Sequence, residues 1–215
     1  MFVCDRMSSP AVTVTASASF PDALKLMREH GFRRLPVVDK KGRLVGIVSE
    51  RDLLYASPSS ATSLSIWEVH YLLANLHIKT IMTKKVITTT PDTPVEDAAR
   101  LMVTHKIGGL PVVDGRGEVV GVITETDIFQ TFVEMFASDH PGVRLTLKVS
   151  ERKGVLLELC KTIFDLGGSI VSVGSFNGSL PNERGLVVKV RDVDGGQLVS
   201  TLDTLGEHVV DARDV

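Results

Sequence analysis

The sequence is short of the residues that mark several classes of protein. Only 2 of its 215 residues are cysteine, Cys4 and Cys160, too few for a disulfide framework or a cysteine-rich metal site. Aromatic residues make up 5%, which is thin for a surface that stacks nucleic-acid bases. The net charge of −2 and the pI near 6.3 give no general attraction to nucleic acid or to an anionic membrane. A nucleic-acid role is therefore disfavoured.

Long apolar runs are also missing. No stretch approaches the roughly 20 residues that cross a bilayer, and the N-terminus MFVCDRMSSP lacks the basic and apolar segments of a secretory signal. The chain is 43% apolar and 23% charged, enough to build the cores of more than one domain. We expect a cytoplasmic protein without membrane contact.

What the sequence does contain is an internal duplication. The stretch RRLPVVDKKGRLVGIVSERD, which begins at Arg33, returns 75 positions later as GGLPVVDGRGEVVGVITETD. Aligned without a gap from Met7/Met82 to Leu54/Phe129, the two copies share 18 identities in 48 pairs. A repeat of this kind indicates one structural unit present twice.

Each copy predicts the element order β-α-β-β-α. A β-branched segment (Ala11–Thr15 or Val86–Thr90) precedes a helix, and Leu-Pro-Val-Val-Asp then enters a turn. A second strand (Leu44–Val48 or Val119–Ile123) leads into a last helix. One copy alone leaves a sheet face uncovered, which a second copy can cover by two-fold packing.

A polar linker, Ser57–Ser63, separates the copies. After it, Ser65 and Glu68 form a predicted capping box that opens a helix through about Leu76. We expect its apolar face to lie across the copies or against a partner subunit. That face consists of Leu64, Trp67, Tyr71, Leu72 and Leu76.

Beyond the helix-breaking segment Asp139–Gly142 the pattern changes to β-α-β-β-α-β, the ferredoxin-like order. The predicted fold class is therefore α+β. The predicted divisions are 1–56 for the first copy, 57–80 for the linker and packing helix, 81–138 for the second copy and 141–215 for the C-terminal part. Its last strand is predicted over His208–Val210.

The candidate site is the junction between the second strand and the last helix of each copy. Ser49 and Asp52 stand there in the first copy, Thr124 and Asp127 in the second. One interpretation is a capping box. The other adds a ligand, since a carboxylate accepts hydrogen bonds from ribose hydroxyls and helix N-terminal amides suit phosphate oxygens. The two interpretations are compatible.

These junctions, together with Leu35-Pro36 and Leu110-Pro111, resemble the CBS motif, and the tandem pair resembles a Bateman module over about 125 residues. Such modules bind adenosine derivatives between their copies. The resemblance implies a regulatory adenine nucleotide (ATP, ADP, AMP or S-adenosylmethionine) and requires no metal.

By this resemblance, Asp52 and Asp127 hold the ribose, and Ser49 and Thr124 meet phosphate or ribose oxygens. Threonines of the first β-branched segments flank the adenine. The implied ligand-binding residues are Thr13, Val14, Arg33, Arg34, Leu35, Pro36, Ser49, Arg51 and Asp52 in the first copy, and Val86, Thr88, Thr89, Gly109, Leu110, Pro111, Thr124, Thr126 and Asp127 in the second.

The two clefts need not be equivalent, because aligned positions differ in charge. The first copy has Arg33, Arg34 and Arg51 where the second has Gly108, Gly109 and Thr126. A guanidinium can pair with phosphate oxygens, so the first cleft should favour more phosphate charge. The alternative is that these arginines are solvated surface.

The C-terminal part resembles an ACT domain, a small regulatory fold that senses amino acids, commonly at dimer interfaces. The resemblance rests on the element order and on Ser150–Leu156, where the family has Asp-x-Pro-Gly-x-Leu. Here Glu151 replaces the Asp, Lys153 replaces the Pro, and Gly154 is kept. The order CBS-CBS-ACT is similar to the acetoin-utilisation CBS/ACT proteins of bacteria, which implies a homodimer with an amino acid as a candidate second ligand.

We therefore predict a non-enzymatic, allosteric regulatory protein, with acetoin or related carbon metabolism as its setting. The alternative is a structural adaptor with empty clefts that docks a metabolic enzyme. An enzyme is less favoured because no base, nucleophile or metal constellation stands out; His70 and His77, for example, share a helix face without a third ligand.

Overall fold

The computed structural model describes residues 1–58, 63–206 and 208–215. Two compact units make up the chain, Met1–Ile128 and Phe129–Val215. The predicted linker Ser57–Ser63 is described only at its ends, since residues 59–62 lie outside the described part. No helix in the described ranges is long and apolar enough to cross a membrane.

The first unit contains the two copies. Strands β1, β2 and β3 form one sheet, with β1 parallel and β3 antiparallel to β2, and β4 pairs antiparallel with β5. The last helix, α6, contains the division between the two units. The elements are β1 Val14–Thr15, α1 Phe20–His30, β2 Arg34–Val38, β3 Leu44–Ser49, α2 Glu50–Ala56, α3 Ile66–Ala74, α4 Ile78–Ile81, α5 Val95–His105, β4 Gly109–Val113, β5 Val119–Thr124 and α6 Glu125–Met135.

The order β-α-β-β-α is found in the first copy, but the predicted first strand of the second copy, Val86–Thr90, is wrong. Only Thr89 pairs there. Its backbone N donates to the oxygen of Pro111 at 3.1 Å, and its backbone oxygen accepts from Val113 N at 2.9 Å. Extending this parallel pairing by one residue would need a donor at Pro91, which has no N–H.

The N-terminal segment of each copy packs into the core of the other copy. Val3, fully buried, lies in the core of the second copy and donates its N–H to the oxygen of Thr93 at 2.9 Å. Ile78, also fully buried, lies in the core of the first copy and donates to the oxygen of Ala18 at 3.0 Å. Each atom pair maps onto the other by the offset of 75 found in the sequence, so the two copies exchange segments with two-fold symmetry.

Backbone bridges repeat the same exchange further along. Ser8 pairs with Val122 through hydrogen bonds of 2.9 and 3.1 Å, and Thr83 pairs with Ile47 through two of 2.9 Å. The hydrogen-bonding capacity of these outer strands is thus used between the copies. The sequence predicted that one copy packs on the other. In the structure they are joined by exchanged N-terminal segments and by these backbone bridges.

Helix α3 begins at the predicted capping box, where Ser65 Oγ accepts from Glu68 N and the Glu68 side chain accepts from Ser65 N at 2.8 Å. Its predicted apolar face is only partly buried. Leu76 packs on the core of the first copy, but Trp67 and Tyr71 are 84% and 71% exposed. The structure does not place these two aromatic residues across the copies, because the helix turns its Leu73 side to the core. The other predicted position, against a partner subunit, stays a prediction.

The second unit contains its elements in the order β-α-β-β-α-β. Its antiparallel sheet has the strand order β7-β8-β6-β9, and apolar side chains of one face form a core with the two helices. The last strand extends four residues beyond the predicted end at Val210, because its backbone pairs with β6 as far as Asp214 and this pairing does not depend on apolar side chains. The elements are β6 Val143–Ser150, α7 Val155–Asp165, β7 Ser169–Asn177, β8 Glu183–Arg191, α8 Gly195–Thr204 and β9 His208–Asp214.

Candidate functional site

The junction between β3 and α2 holds the first predicted hydroxyl–carboxylate pair. Asp52 Oδ2 accepts from Ser49 N at 2.8 Å and from Ser49 Oγ at 2.7 Å, and Asp52 N donates back to Ser49 Oγ at 3.2 Å. Both side chains are half-buried. The arrangement is a complete capping box at the start of α2.

The junction between β5 and α6 repeats this geometry. Asp127 Oδ2 accepts from Thr124 N at 2.6 Å and from Thr124 Oγ1 at 2.7 Å, and Asp127 N lies 3.4 Å from Thr124 Oγ1. The capping interpretation is confirmed in both copies. The capping bonds of Asp52 use only its Oδ2, so capping and ligand binding are compatible for this carboxylate.

The strand register places a different residue beside each junction. Ser49 lies opposite Arg34 on β2, whereas Thr124 lies opposite Gly109 on β4. The charge difference read from the aligned sequences is therefore located directly next to the two hydroxyl–carboxylate pairs.

Arg34 extends from the first copy onto the second. Its Nη1 donates to the carbonyl oxygen of Gly108. A Cβ at Gly109 would lie 2.9 Å from Arg34 Nη1, and a Cβ at Gly108 would lie 2.8 Å both from Arg34 Nη2 and from Glu125 Oε2. Glycine at both positions leaves room for the guanidinium in this position, so the arginine of one copy and the glycines of the other form one contact.

The Arg34 guanidinium is partly removed from water at this contact. Burial lowers the pKa of Arg34, the neighbouring Arg33 lowers it further, and Glu125 acts in the opposite direction. An arginine side chain is not deprotonated in proteins, so the group at this contact is a cation. A partly desolvated cation attracts an anion more strongly than a fully solvated one.

Arg51, the third predicted arginine, is bound within its own helix. Its Nε and Nη2 donate to the Tyr55 hydroxyl at 3.2 and 2.9 Å, and its guanidinium lies 5.2 Å from the centre of the Tyr55 ring. The structure brings Arg34, but not Arg51, to the second copy.

The remaining predicted residues differ in how far a ligand can reach them. The side chains of Leu35 and Leu110 are fully buried in the two hydrophobic cores, so only their backbone is available. The buried set is Val14, Leu35, Pro36, Thr89, Gly109, Leu110 and Pro111. The half-buried set is Thr13, Arg34, Ser49, Asp52, Val86, Thr88, Thr124 and Asp127. The exposed set is Arg33, Arg51 and Thr126.

Thr89 carries a buried hydroxyl without a partner. The residue is 5% exposed, and its Oγ1 makes no hydrogen bond within the described part of the chain. The aligned residue of the first copy is the apolar Val14, which needs no partner. A buried hydroxyl without a hydrogen bond is unfavourable, so Thr89 Oγ1 has capacity for an additional group.

Glu125 is a member of the site that the sequence analysis missed. It contributes through its carboxylate beside Arg34 and Gly108. As the first residue of α6 it reads as an ordinary acidic side chain in the first turn of a helix. The only sequence signal was the Arg-Arg against Gly-Gly difference, which does not say that the two positions touch.

Two segments of the chain, residues 3–59 and 78–134, match the family model of the CBS domain, and together they make up more than half of the chain. The chain belongs to the CBS domain family. The duplicated first unit is thus a CBS pair.

Solved CBS pairs resemble this one in fold and sequence. The CBS pair of protein MJ0100, solved with 5-methylthioadenosine and S-adenosylmethionine, is 34% identical with a TM-score of 0.53, covering 62% of this chain and 97% of that one. CBSX2 from Arabidopsis thaliana, solved with AMP, is 31% identical with a TM-score of 0.52, covering 62% and 96%. AcuB from Vibrio cholerae, named for acetoin utilization, is 31% identical with a TM-score of 0.54, covering 65% and 95%.

Curated relatives include much longer proteins. An L-aspartate semialdehyde sulfurtransferase from Methanocaldococcus jannaschii is 35% identical over 130 residues, which are 60% of this chain but only 23% of that protein. The chain thus spans about a quarter of the length of this relative, and the likeness concerns the CBS pair.

Proposed function

We propose that this protein is a non-enzymatic regulator that binds an adenine nucleotide in the clefts of its CBS pair. The observation that carries the proposal is the duplicated hydroxyl–carboxylate junction, Ser49/Asp52 and Thr124/Asp127, each at a helix start. Solved relatives of the pair hold AMP, or S-adenosylmethionine with 5-methylthioadenosine. The candidate ligands are ATP, ADP, AMP and S-adenosylmethionine, and no metal is required.

Each side chain of the junctions has a proposed role. Asp52 and Asp127 accept from ribose hydroxyls through the carboxylate oxygen that the capping box does not use. Ser49 and Thr124 meet ribose or phosphate oxygens near the helix N-terminal amides. The adenine lies near Thr13 and Val14 in one cleft and near Val86, Thr88 and Thr89 in the other, where the unpartnered Thr89 hydroxyl supports this placement.

The arginines make the two clefts unequal. Arg34, partly desolvated between the copies, is the proposed partner of phosphate oxygens, with Arg33 beside it. A nucleotide that engages Arg34 competes with the carbonyl of Gly108 for the guanidinium. Binding would thereby change the contact between the copies, which is the proposed allosteric event.

For the second unit we propose an ACT domain with the ferredoxin-like fold, over the bounds 141–215, following CBS copies at 1–56 and 81–138. The element order and the strand order support it, as does Gly154, which has a φ of 90° at the turn before α7. Glu151, at the position of the family's aspartate, pairs with Arg184. The proposed roles are homodimerisation and binding of an amino acid.

The exposed aromatic side chains of α3, Trp67 and Tyr71, support a surface for a second copy or for a metabolic enzyme. The likeness to AcuB supports a role in acetoin or related carbon metabolism. The proposed location is the cytoplasm.

Calorimetric titration of the full chain with ATP, ADP, AMP and S-adenosylmethionine tests the nucleotide proposal. Asp52→Asn and Asp127→Asn, singly and together, should weaken binding by tenfold or more in the cleft they line, and Arg33→Ala/Arg34→Ala should weaken ATP more than AMP. Asp22→Asn is the matched control, because Asp22 makes the same kind of capping contact with Ser19, at 2.6 Å, outside the candidate site.

Loss of affinity in Asp22→Asn equal to that in Asp52→Asn would attribute the effect to capping and contradict the proposed ribose contact. No heat with any of the four ligands, together with an unchanged melting temperature, would favour the adaptor with empty clefts.

A further inference from the structure

The two faces of the sheet in the second unit differ in character. The face toward α7 and α8 is apolar and belongs to the core. On the opposite face, β6 carries Arg144, Thr146 and Lys148, and β8 carries Val187 and Lys189. This second face is therefore cationic and only partly apolar.

A cavity lies between this face and the C-terminal end of α6. It has two adjoining chambers of 250 and 370 Å³, which share Phe136, Ser138, Arg144 and Val187 as walls. Each chamber alone is near the small end of the range for ligand pockets, about 300–1,000 Å³, and the two together lie within it. None of its walls belongs to the Ser150–Leu156 loop.

The smaller chamber contains a buried ammonium group. Lys189 is 3% exposed, and its Nζ donates to the carbonyl oxygen of Ala137 at 2.8 Å. An ammonium has three N–H donors, and across residues 1–58, 63–206 and 208–215 no carboxylate lies within 4.0 Å of this one. Since a buried cation is unfavourable without an anionic partner, the chamber has the charge to hold an anion.

A second cation stands in the wall that both chambers share. Arg144 Nη1 donates to Thr146 Oγ1 at 3.0 Å and lies 3.7 Å from Asp211 Oδ2. Asp211 is held more closely by Arg213, at 2.9 and 2.6 Å, and this hydrogen bonding lowers the pKa of Asp211. One carboxylate is thus shared by two guanidinium groups. Val215, the last residue of the sequence, also lines the smaller chamber, so a bound anion would have to lie on the Lys189 and Arg144 side of it.

The larger chamber is aromatic. The rings of Phe132 and Phe136 lie 4.7 Å apart, and Phe176 forms a further wall. Gly174 has no side chain where the Phe136 ring lies against the strand, so the ring sits close to the sheet. An apolar ligand body would be in contact with these rings while its charged end lay in the adjoining chamber.

We propose that this cavity binds a small monocarboxylate with an aromatic or aliphatic body. The carboxylate would pair with Lys189 and Arg144, and the body would pack on Phe136 and Phe176. The site is separate from the nucleotide clefts and does not depend on their function.

Titration of the full chain with phenylacetate, phenylacetamide and acetate tests the proposal. Phenylacetate carries both recognised features, phenylacetamide lacks the charge, and acetate lacks the body. We expect phenylacetate to bind and to raise the melting temperature, and the other two to bind at least tenfold more weakly. Equal binding of acid and amide, or no phenylacetate binding up to millimolar concentration, would overturn it.

Matched variants locate the binding. Lys189→Met should weaken phenylacetate binding at least tenfold, whereas Lys148→Met should leave it within twofold, since Lys148 is on the same face outside the cavity and lies 3.8 Å from Glu183. Equal losses in the two variants would refute the site. If Lys189→Met does not fold, Arg144→Gln, at a half-exposed side chain, must show the loss instead. Asp52→Asn/Asp127→Asn should bind phenylacetate normally, which separates this site from the nucleotide clefts.

Discussion

At the scale of single residues, two glycines allow the copies to exchange their N-terminal segments. A Cβ at Gly121 would lie 2.5 Å from Met7 Sδ and 3.0 Å from the oxygen of Ser8, and a Cβ at Gly46 would lie 2.6 Å from Met82 Sδ. The methionines can move, but the Ser8 oxygen is fixed by its bridge to Val122. The missing side chain is therefore what lets the segments lie this close.

Gly121→Ala should accordingly lower the free energy of unfolding by about 1–3 kcal/mol, the usual cost of overpacking. Gly115→Ala is the matched control, because a Cβ there has no atom within 4 Å in the described structure and the φ angle is ordinary. Urea denaturation of both variants measures the difference. Equal stability of the two would mean that the contact at Gly121 adapts without cost.

Residues that act on their own neighbours could be predicted, and residues that act across the copies could not. The capping partners of Ser49 and Thr124 stand three positions away, so spacing alone identified them. Arg34 and Gly108 are 74 positions apart, and nothing in either local pattern says that they meet. The arginine's charge was predictable, but its location over a glycine of the other copy was not.

At the scale of elements, the equivalent helices α1 and α5 of the two copies are followed by different types of residue. α1 is followed by Gly31 at φ 67°, and α5 by Lys106 at φ 54°, both in the left-handed region. A residue with a Cβ is unfavourable by about 1–2 kcal/mol in this conformation, whereas glycine is not. The second copy therefore has a strained residue where the first has none.

Lys106→Gly should raise the free energy of unfolding by up to about 1 kcal/mol, because relief of the strain exceeds the added flexibility of the unfolded chain. Gly31→Ala should lower it by a similar amount, since a Cβ there meets no atom within 4 Å and only the backbone angle matters. Thermal denaturation of the two variants shows whether each change raises or lowers the stability. Two changes of the same sign would rule out backbone strain as the cause.

Element order was predictable in both units because apolar spacing and turn residues are local signals. The first strand of the second copy was not, since its β-branched residues favour a strand while Pro91 removes the donor that pairing needs. The burial of α3 was also misjudged: Trp67 and Leu73 are both apolar, and only the packed structure selects the face that carries Leu73.

At the scale of the whole first unit, each copy needs a segment from the other to complete its core. Val3 and Ile78 are both fully buried in the core that they enter. Truncation of either side chain should therefore destabilise that core. Both residues are apolar, so the sequence predicts that they are buried. It does not predict in which copy's core they are buried.

Ile78→Ala should cost about 2–5 kcal/mol and reduce hydrogen-exchange protection first around Leu35 and Val48, in the first copy. Val3→Ala should instead reduce protection first around Leu110 and Ile123, in the second. Native-state hydrogen exchange of both variants tests the assignment. Protection lost first in the opposite copies would disprove the exchange.

The symmetry of this exchange bears on how such a unit can arise. Two identical, unlinked chains could donate their N-terminal segments to each other through the same bonds, so an ancestor with one copy could have existed as a homodimer. The Arg34 contact in this form is not open to such an ancestor, because identical chains would place a second arginine where this chain has Gly109. One position could become arginine and its counterpart glycine only after the coding sequence had been duplicated. The arginine on one side of this contact is thus a change that followed the duplication.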